Sequence, residues 1–199
     1  MRTDTTRKRL INVGKILILI AWISLMILIA WFSSKPAVDS TNQSHVVGEV
    51  ICRIVIKDFK TFTQAVKEYY VEAVDHFVRK SAHFLEYALL GFLSWLVLNI
   101  SLSGIIRKPS SSDMLPKAQK IVHLAWNFLL PVAWCCLYSI TDEIHQHFVE
   151  GRYASVGDVL IDTSGSAFGV LFLLLVTFII KKIRTTHKIS KNHTTKSNR

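Results

Sequence analysis

The sequence predicts an all-α fold, that of a polytopic membrane protein with four transmembrane helices plus an extracytoplasmic amphipathic helix. Half of the 199 residues are hydrophobic, and four long runs carry almost no charge. A helix that crosses a bilayer needs roughly 17–25 consecutive apolar residues, and each run reaches that length. We therefore place the spans at about 16–32, 84–106, 121–141 and 159–180. Together they leave no room for a large soluble core.

The first span follows a basic segment, as a signal sequence would. Its apolar run is longer than the ~7–15 residues of a cleaved signal peptide, and no A-x-A site follows it. We therefore predict an uncleaved signal anchor at 16–32, preceded by a disordered cytoplasmic tail at 1–15. Residues 181–199 are predicted to form a basic cytoplasmic tail, of which 185–199, rich in Thr, Lys, Asn and His, is disordered.

The outer segment, 33–83, separates the first two spans. Residues 33–44 contain Pro36 and are predicted to form an irregular loop. Within 58–80, apolar residues recur at the i, i+3, i+4 spacing of a helix, while charged residues fall largely on the other side. We expect an amphipathic helix here that lies on the outer leaflet or caps the bundle, and then bends into the second span. Packing alone and a direct functional role are both open for it.

The distribution of charge sets the predicted orientation. Basic residues dominate 1–15, 103–120 and 181–199, whereas 142–158 carries four acids and only Arg152. By the positive-inside rule, both termini and the 103–120 loop are cytoplasmic, and 142–158 lies outside. The net charge of +10 is therefore concentrated where topology requires it, and we expect no nucleic-acid partner. The basic ends are expected to contact anionic membrane lipids.

Cysteine and histidine spacing gives no sign of a cofactor. Cys52, Cys135 and Cys136 contain no CxxC zinc pair, and we expect buried thiols. No HExxH motif is present, and no cofactor or metal is expected. A zinc site built from His83, Glu86 and Glu143 is the weaker alternative.

Candidate functional residues cluster at the predicted outer mouths of the last three spans. Ionisable groups at such positions are costly unless they are paired or solvated. They are His83, Glu86, Tyr87, Asp142, Glu143, Gln146, Arg152, Asp158 and Asp162. Helical spacing gives them shared faces: i, i+3 and i+4 for the first three, and i, i+4 for the last two. Arg152 can hold a carboxylate or a phosphate with two hydrogen bonds, and Glu86 and Glu143 are candidate catalytic acid–base groups.

Two motifs within this cluster resemble a known family. KSAHFLEYALLG at 80–91 and DEIHQHFVEGRYASVGDVLIDTSGSAFG at 142–169 are similar to the VanZ-like family of bacterial membrane proteins. The resemblance adds Ser155 to the candidate site. It also shows two departures: Asp162, where Asn is usual, and Glu150, where Pro is frequent.

The resemblance implies a multi-pass protein of the bacterial cytoplasmic membrane. The founding member of that family lowers susceptibility to teicoplanin, a lipoglycopeptide directed at the cell wall, and no enzymatic activity is carried over. The implied partners are membrane lipids and a lipid-linked cell-wall precursor or lipoglycopeptide; the oligomeric state is open.

Three functions follow as hypotheses. The favoured one is an envelope protein whose outer polar site binds a lipid-linked or cell-surface ligand, with Arg152 holding an anionic group. The second is an intramembrane enzyme that acts on a lipid or lipid-linked cell-wall precursor, with Glu86 or Glu143 as the base. The third is a structural membrane scaffold whose charges only hold the helices together.

Overall fold

The computed structural model describes residues 2–102 and 117–197, and within them the side chains of 9–99 and 125–186. Residues 103–116, which make up most of the predicted cytoplasmic loop at 103–120, thus lie outside the described residues. The described chain is helical throughout, with one short 3-10 turn and no strand. Its helices are α1 (Arg2–Ser33), α2 (Ala37–Val55), α3 (Gln64–Leu102), α4 (Lys117–Gln146) and α5 (Val156–Ser197).

The described residues of both predicted tails are helical, and the expectation of disordered chain there was wrong. α1 begins at Arg2 and α5 continues to Ser197. Nucleating a helix is costly, but each further residue adds one hydrogen bond. The long apolar helices therefore propagate into flanking segments that contain no proline and many good helix formers such as Lys and Arg.

The outer segment holds one more helix than the sequence predicts. Residues 33–44 are not an irregular loop, because α2 begins at Ala37 directly after Pro36, a place where the fixed φ of proline suits a helix start. After a 3-10 turn at Phe59–Thr61, α3 runs from Gln64 through the predicted amphipathic region. It continues without interruption into the predicted second span.

α2 packs antiparallel against the first half of α3. Ser44 contacts Asp75, and further along α2 Gly48 lies against Val71, so residue numbers rise on one helix as they fall on the other. Cys52 and Phe59 join Val71 in a small buried core at the closed end of this hairpin. The hairpin therefore has its own packing, which fixes α2 beside α3.

α3 is the central helix of the bundle and contacts each of the other four. Its closest neighbour is α5. A Cβ added at Gly165 would overlap the backbone carbonyl of Phe84, and one at Gly169 would overlap that of Ala88. A G-x-x-x-G pattern permits such a close approach of two helices, and the contact fixes the depth at which α5 lies along α3.

A second core joins α1, α3 and α4. Leu25, Ile29, Tyr87, Leu90 and Cys135 are buried there together. The expectation of buried thiols is confirmed for Cys135 and for Cys52 in the hairpin, while Cys136 is half-buried.

Three helices among the described residues are long and apolar enough to cross a membrane, where the sequence predicted four. They are Arg9–Ser33, Gln64–Asn99 and Val156–Thr186. The predicted span at 121–141 does form most of α4, but the described part of α4 is not in this set. The physical reason is that Asn127, Pro131 and Asp142 lower the hydropathy of the described part of α4.

Candidate functional site

A cavity of about 450 Å³ lies between α2, α3 and the loop that joins α4 to α5. We call it the polar cavity. Five of the ten candidate residues line it: His83, Glu86, Gln146, Arg152 and Asp158. Arg79, Lys80 and His76 of α3 add basic side chains that sequence reasoning did not include in the site.

Arg152 projects from the α4–α5 loop, 147–155. Gly151 precedes it with φ +72°, a left-handed conformation that glycine adopts without steric cost. One guanidinium nitrogen, Nη1, donates to Oε1 of Gln146 at 3.1 Å. Among the described residues no carboxylate lies within ion-pair distance of Arg152. Burial lowers the pKa of Arg152 below its ordinary value, and the charge of Arg79 acts in the same direction.

Glu86 lies on α3, one turn after His83, and also lines the polar cavity. Its side chain is half-buried. The described part of the chain offers it no hydrogen bond and no ion pair. Glu86 and Arg152 are thus an acid and a base that line one cavity without an ionic partner.

The other strongly basic groups of the cavity are paired. Lys80 Nζ forms an ion pair with Asp158 Oδ1, which ties α3 to the first turn of α5. Arg79 Nη2 lies 2.7 Å from Asp75 Oδ2 one turn earlier on α3. Asp75 also accepts a hydrogen bond from Ser44 of α2, so this pair holds the hairpin that walls the cavity.

Ser155 and Glu143 fix the end of the loop. Ser155 Oγ accepts a hydrogen bond from the backbone N–H of Asp158 at 3.3 Å, as an N-cap residue does at a helix start. The N–H of Ser155 itself donates to Glu143 Oε2 at 2.7 Å. The other oxygen of Glu143 is buried without a hydrogen-bond partner within the described chain. Neither Ser155 nor Glu143 lines the polar cavity.

Asp142 joins α4 to α1 beneath the loop. It is 5 % exposed, and its Oδ2 accepts from Ser33 Oγ at 2.7 Å and from Gln146 Nε2 at 2.9 Å. The Gln146 amide therefore bridges Asp142 to Arg152. Gln146 and Asp142 thus link Arg152 to Ser33, the last residue of α1.

Asp162 and Tyr87 are fully buried between α3, α4 and α5. Oδ2 of Asp162 accepts from Ser139 Oγ at 2.7 Å. Its Oδ1 lies 3.3 Å from His83 Nδ1, at an angle that does not meet hydrogen-bond geometry. The phenolic oxygen of Tyr87 likewise has no hydrogen-bond partner among the described residues. Asp162 therefore lies next to His83 but outside the lining of the cavity, which includes His83.

The structure thus separates the candidate residues into two sets. One set lines the polar cavity; the other, outside its lining, is Tyr87, Asp142, Glu143, Ser155 and Asp162. Lys80 could have been found from sequence, because it precedes His83 by three residues, as His83 precedes Glu86. Ser33 and Ser139 carried no such signal, since their partners are far away in the sequence.

No metal centre is evident within the described residues. No three or more His, Cys, Asp and Glu side chains there are grouped as ligands. The weaker zinc alternative, which needed Glu143 beside His83 and Glu86, therefore lacks the required grouping.

Comparison with known proteins identifies a family. A model of the VanZ/LLP1 family matches residues 17–179, a range that includes every candidate residue described above. No curated protein and no solved structure shows significant similarity to the chain.

Proposed function

The chain belongs to the VanZ/LLP1 family, and on that premise we propose that it is a multi-pass protein of the bacterial cell envelope that binds an anionic group of a lipid-linked or cell-surface ligand. One observation carries the proposal. Arg152 lines a cavity of about 450 Å³ without an ionic partner among the described residues, while its neighbours Lys80 and Arg79 are paired. A half-buried guanidinium without an ionic partner is available to a charged ligand, and its planar fork suits a phosphate or a carboxylate.

The proposed topology has four spans, with both termini in the cytoplasm and the polar cavity outside. α4 supplies the fourth span in this scheme: Leu129 and Leu137 are 55 % and 61 % exposed and would face lipid. The basic segments at 1–15 and 181–199 would stay inside by the positive-inside rule.

An alkaline phosphatase fusion after Gly151 tests the side on which the cavity lies. We expect an active reporter, because the enzyme folds only outside the cytoplasm, and an inactive one for a matched fusion within 107–116. A silent reporter after Gly151, in cells where immunoblotting detects the fusion in membranes, would sink the proposal.

The anion site is tested with Arg152→Gln, which keeps a hydrogen-bonding side chain of similar length and removes the charge. Native mass spectrometry of the full-length protein in micelles should detect bound phosphate-bearing lipid for the unaltered chain. We expect this lipid to be lost from Arg152→Gln and retained by Arg53→Gln. Arg53 is a matched control because it pairs with Glu49 on the exposed side of α2. Equal retention by both variants would refute the proposed site.

An effect on lipoglycopeptide susceptibility is the cellular role that we propose for the same site. A deletion strain should become more susceptible to teicoplanin and recover with the unaltered gene, but not with Arg152→Gln. If Arg152→Gln lowered protein abundance as much as resistance, the scaffold hypothesis would be favoured instead. Normal abundance with lost resistance would exclude it.

Enzymatic action on a lipid or lipid-linked precursor is the second candidate. It is favoured by the position of Glu86, an unpaired carboxylate in the polar cavity; Glu143, the other candidate base, is held by the Ser155 backbone. A substrate that accumulates both in a deletion strain and in a Glu86→Gln strain would support catalysis. Unchanged lipid profiles with altered ligand binding would support a binding protein.

A further inference from the structure

Building on the proposed anion site, we propose that the ligand is zwitterionic: a phospholipid whose headgroup joins a phosphodiester to a primary ammonium group. In this assignment Arg152 binds the phosphate and Glu86 binds the ammonium. The juxtaposition that supports it is one cavity lined by a guanidinium and a carboxylate, neither of which has an ionic partner among the described residues.

The lysine and the other arginine that line the cavity already form ion pairs, whereas Arg152 and Glu86 do not. Lys80 is occupied by Asp158, and Arg79 by Asp75 at 2.7 Å. A ligand could bind Lys80 or Arg79 only by breaking the existing ion pair. A ligand can bind Arg152 and Glu86 without breaking an ion pair, so binding to these two groups costs the least free energy.

A purely anionic ligand satisfies only half of this arrangement. It would pair with Arg152 but leave the Glu86 carboxylate without a partner in a site that the ligand has now closed to water. Burying an unpaired charge is costly. A ligand that also carries an ammonium group removes that cost, because each of its charges meets the opposite charge on the protein.

The rim of the cavity indicates a lipid and not a free headgroup. Phe32, Val47 and Tyr153 line the cavity beside its polar residues, and Tyr153 is 83 % exposed. On the side of the cavity toward the predicted second span, Leu89 of α3 lies one turn beyond Glu86 and is 50 % exposed, and Leu85 is 64 % exposed. Exposed apolar surface of this kind marks a membrane or partner contact. The acyl chains would follow this surface while the headgroup occupies the cavity.

The size of the cavity fits a headgroup. Its volume of about 450 Å³ falls within the ~300–1,000 Å³ typical of small-molecule sites. His83 and Gln146 add hydrogen-bonding groups to its lining, which suits the phosphate and glycerol oxygens of such a lipid.

The experiment titrates the full-length protein in micelles with short-chain lipids that share acyl chains and differ in headgroup. Dihexanoyl phosphatidylethanolamine supplies both charges, and phosphatidylglycerol supplies only the phosphate. Phosphatidylcholine carries a cation that cannot donate hydrogen bonds. Because a charge-assisted hydrogen bond is lost in each comparison, we expect the ethanolamine lipid to bind about tenfold more tightly than either. Glycerophosphoethanolamine, which lacks the acyl chains, should bind more weakly than the matching lipid.

Two variants separate this inference from the proposed function. Glu86→Gln should abolish the preference for the ethanolamine lipid over phosphatidylglycerol while phosphatidylglycerol still binds. Arg152→Gln should weaken both lipids. Glu49→Gln, on the exposed face of α2, is the control for Glu86→Gln and should leave the preference intact. If Glu86→Gln does not fold, the headgroup series on the unaltered protein decides the question alone.

The outcomes are distinct. Phosphatidylglycerol binding as tightly as the ethanolamine lipid, with both weakened by Arg152→Gln, would overturn the zwitterion and leave the anion site standing. No effect of Arg152→Gln on any lipid would overturn the proposed function as well. Equal binding of glycerophosphoethanolamine and the ethanolamine lipid would overturn the lipid as the source of the headgroup.

Discussion

Replacing Gly169 with alanine tests whether the contact between α3 and α5 holds the fold together. A Cβ at this position would overlap the backbone carbonyl of Ala88, and backbone cannot rotate away as a side chain can. The two helices must therefore separate, and overpacking of this kind costs about 1–3 kcal/mol. A gap of ~0.5–1 Å also forfeits about a quarter to a half of each attractive atom contact. Val170 of α5, which is fully buried, would lose contacts in this way.

The opposing effect is the higher helix propensity of alanine, which is worth about 0.5–1 kcal/mol. We therefore expect Gly169→Ala to lower the free energy of unfolding by a net of about 1–2 kcal/mol. Reversible unfolding of the purified protein in mixed micelles, followed by tryptophan fluorescence, measures it.

Gly14→Ala is the matched control for this measurement. A Cβ at Gly14 meets nothing within 4 Å, so only the propensity gain applies and stability should stay equal or rise slightly. Gly169→Ala with unaltered stability, or Gly14→Ala with an equal loss, would refute the packing argument.

Two further predictions concern the buried polar contacts. Ser33→Ala removes the hydroxyl that donates to the buried Asp142 at 2.7 Å, and should cost about 1–3 kcal/mol in the same assay; Ser34→Ala, at an exposed position, should cost far less, and equal losses would contradict this. Lys80→Met and Asp158→Asn remove the two sides of one ion pair, so a double-mutant cycle should give a coupling energy of about 0.5–3 kcal/mol, whereas strictly additive losses would show that the pair contributes nothing.

The long helices could be predicted from sequence because their signal is local. Uninterrupted apolar runs fix both the type and the approximate position of α1, α3 and α5, and Gly165 and Gly169 indicated the close helix contact. The helix α2 in the outer segment could not be predicted from sequence in the same way. α2 contains Thr41, Asn42 and Ser44, which are weak helix formers, and it is stabilised by packing of Gly48 against α3.

The candidate site could be predicted as a set of residues, but not as a geometry. Helical spacing grouped His83 with Glu86. The predicted spans placed Asp142 and Glu143 at the same outer end of the bundle. Which acid reaches the cavity depends on partners from other helices. Asp142 is occupied by Ser33 of α1 and Glu143 by the Ser155 backbone, and no local pattern encodes either contact.

The arrangement of acids explains why Arg152 is left without an ionic partner in a segment rich in carboxylates. Four acids of 142–162 already have a structural contact: Asp142 with a serine of α1, Glu143 with the loop backbone, Asp158 with Lys80, and Asp162 with Ser139. These contacts join different helices, so a rearrangement that brought one of them to Arg152 would break a link between helices.

Asp162 extends the same reasoning to His83. The resemblance leads one to expect asparagine at this position, whereas the carboxylate here places a negative charge 3.3 Å from His83 Nδ1. A negative charge this close favours the protonated, positively charged ring of His83, although the contact is not a hydrogen bond. An asparagine amide carries no charge and would not favour the charged ring in this way. The departure from the family pattern thus acts on the protonation of a cavity residue from a position that the ligand does not reach.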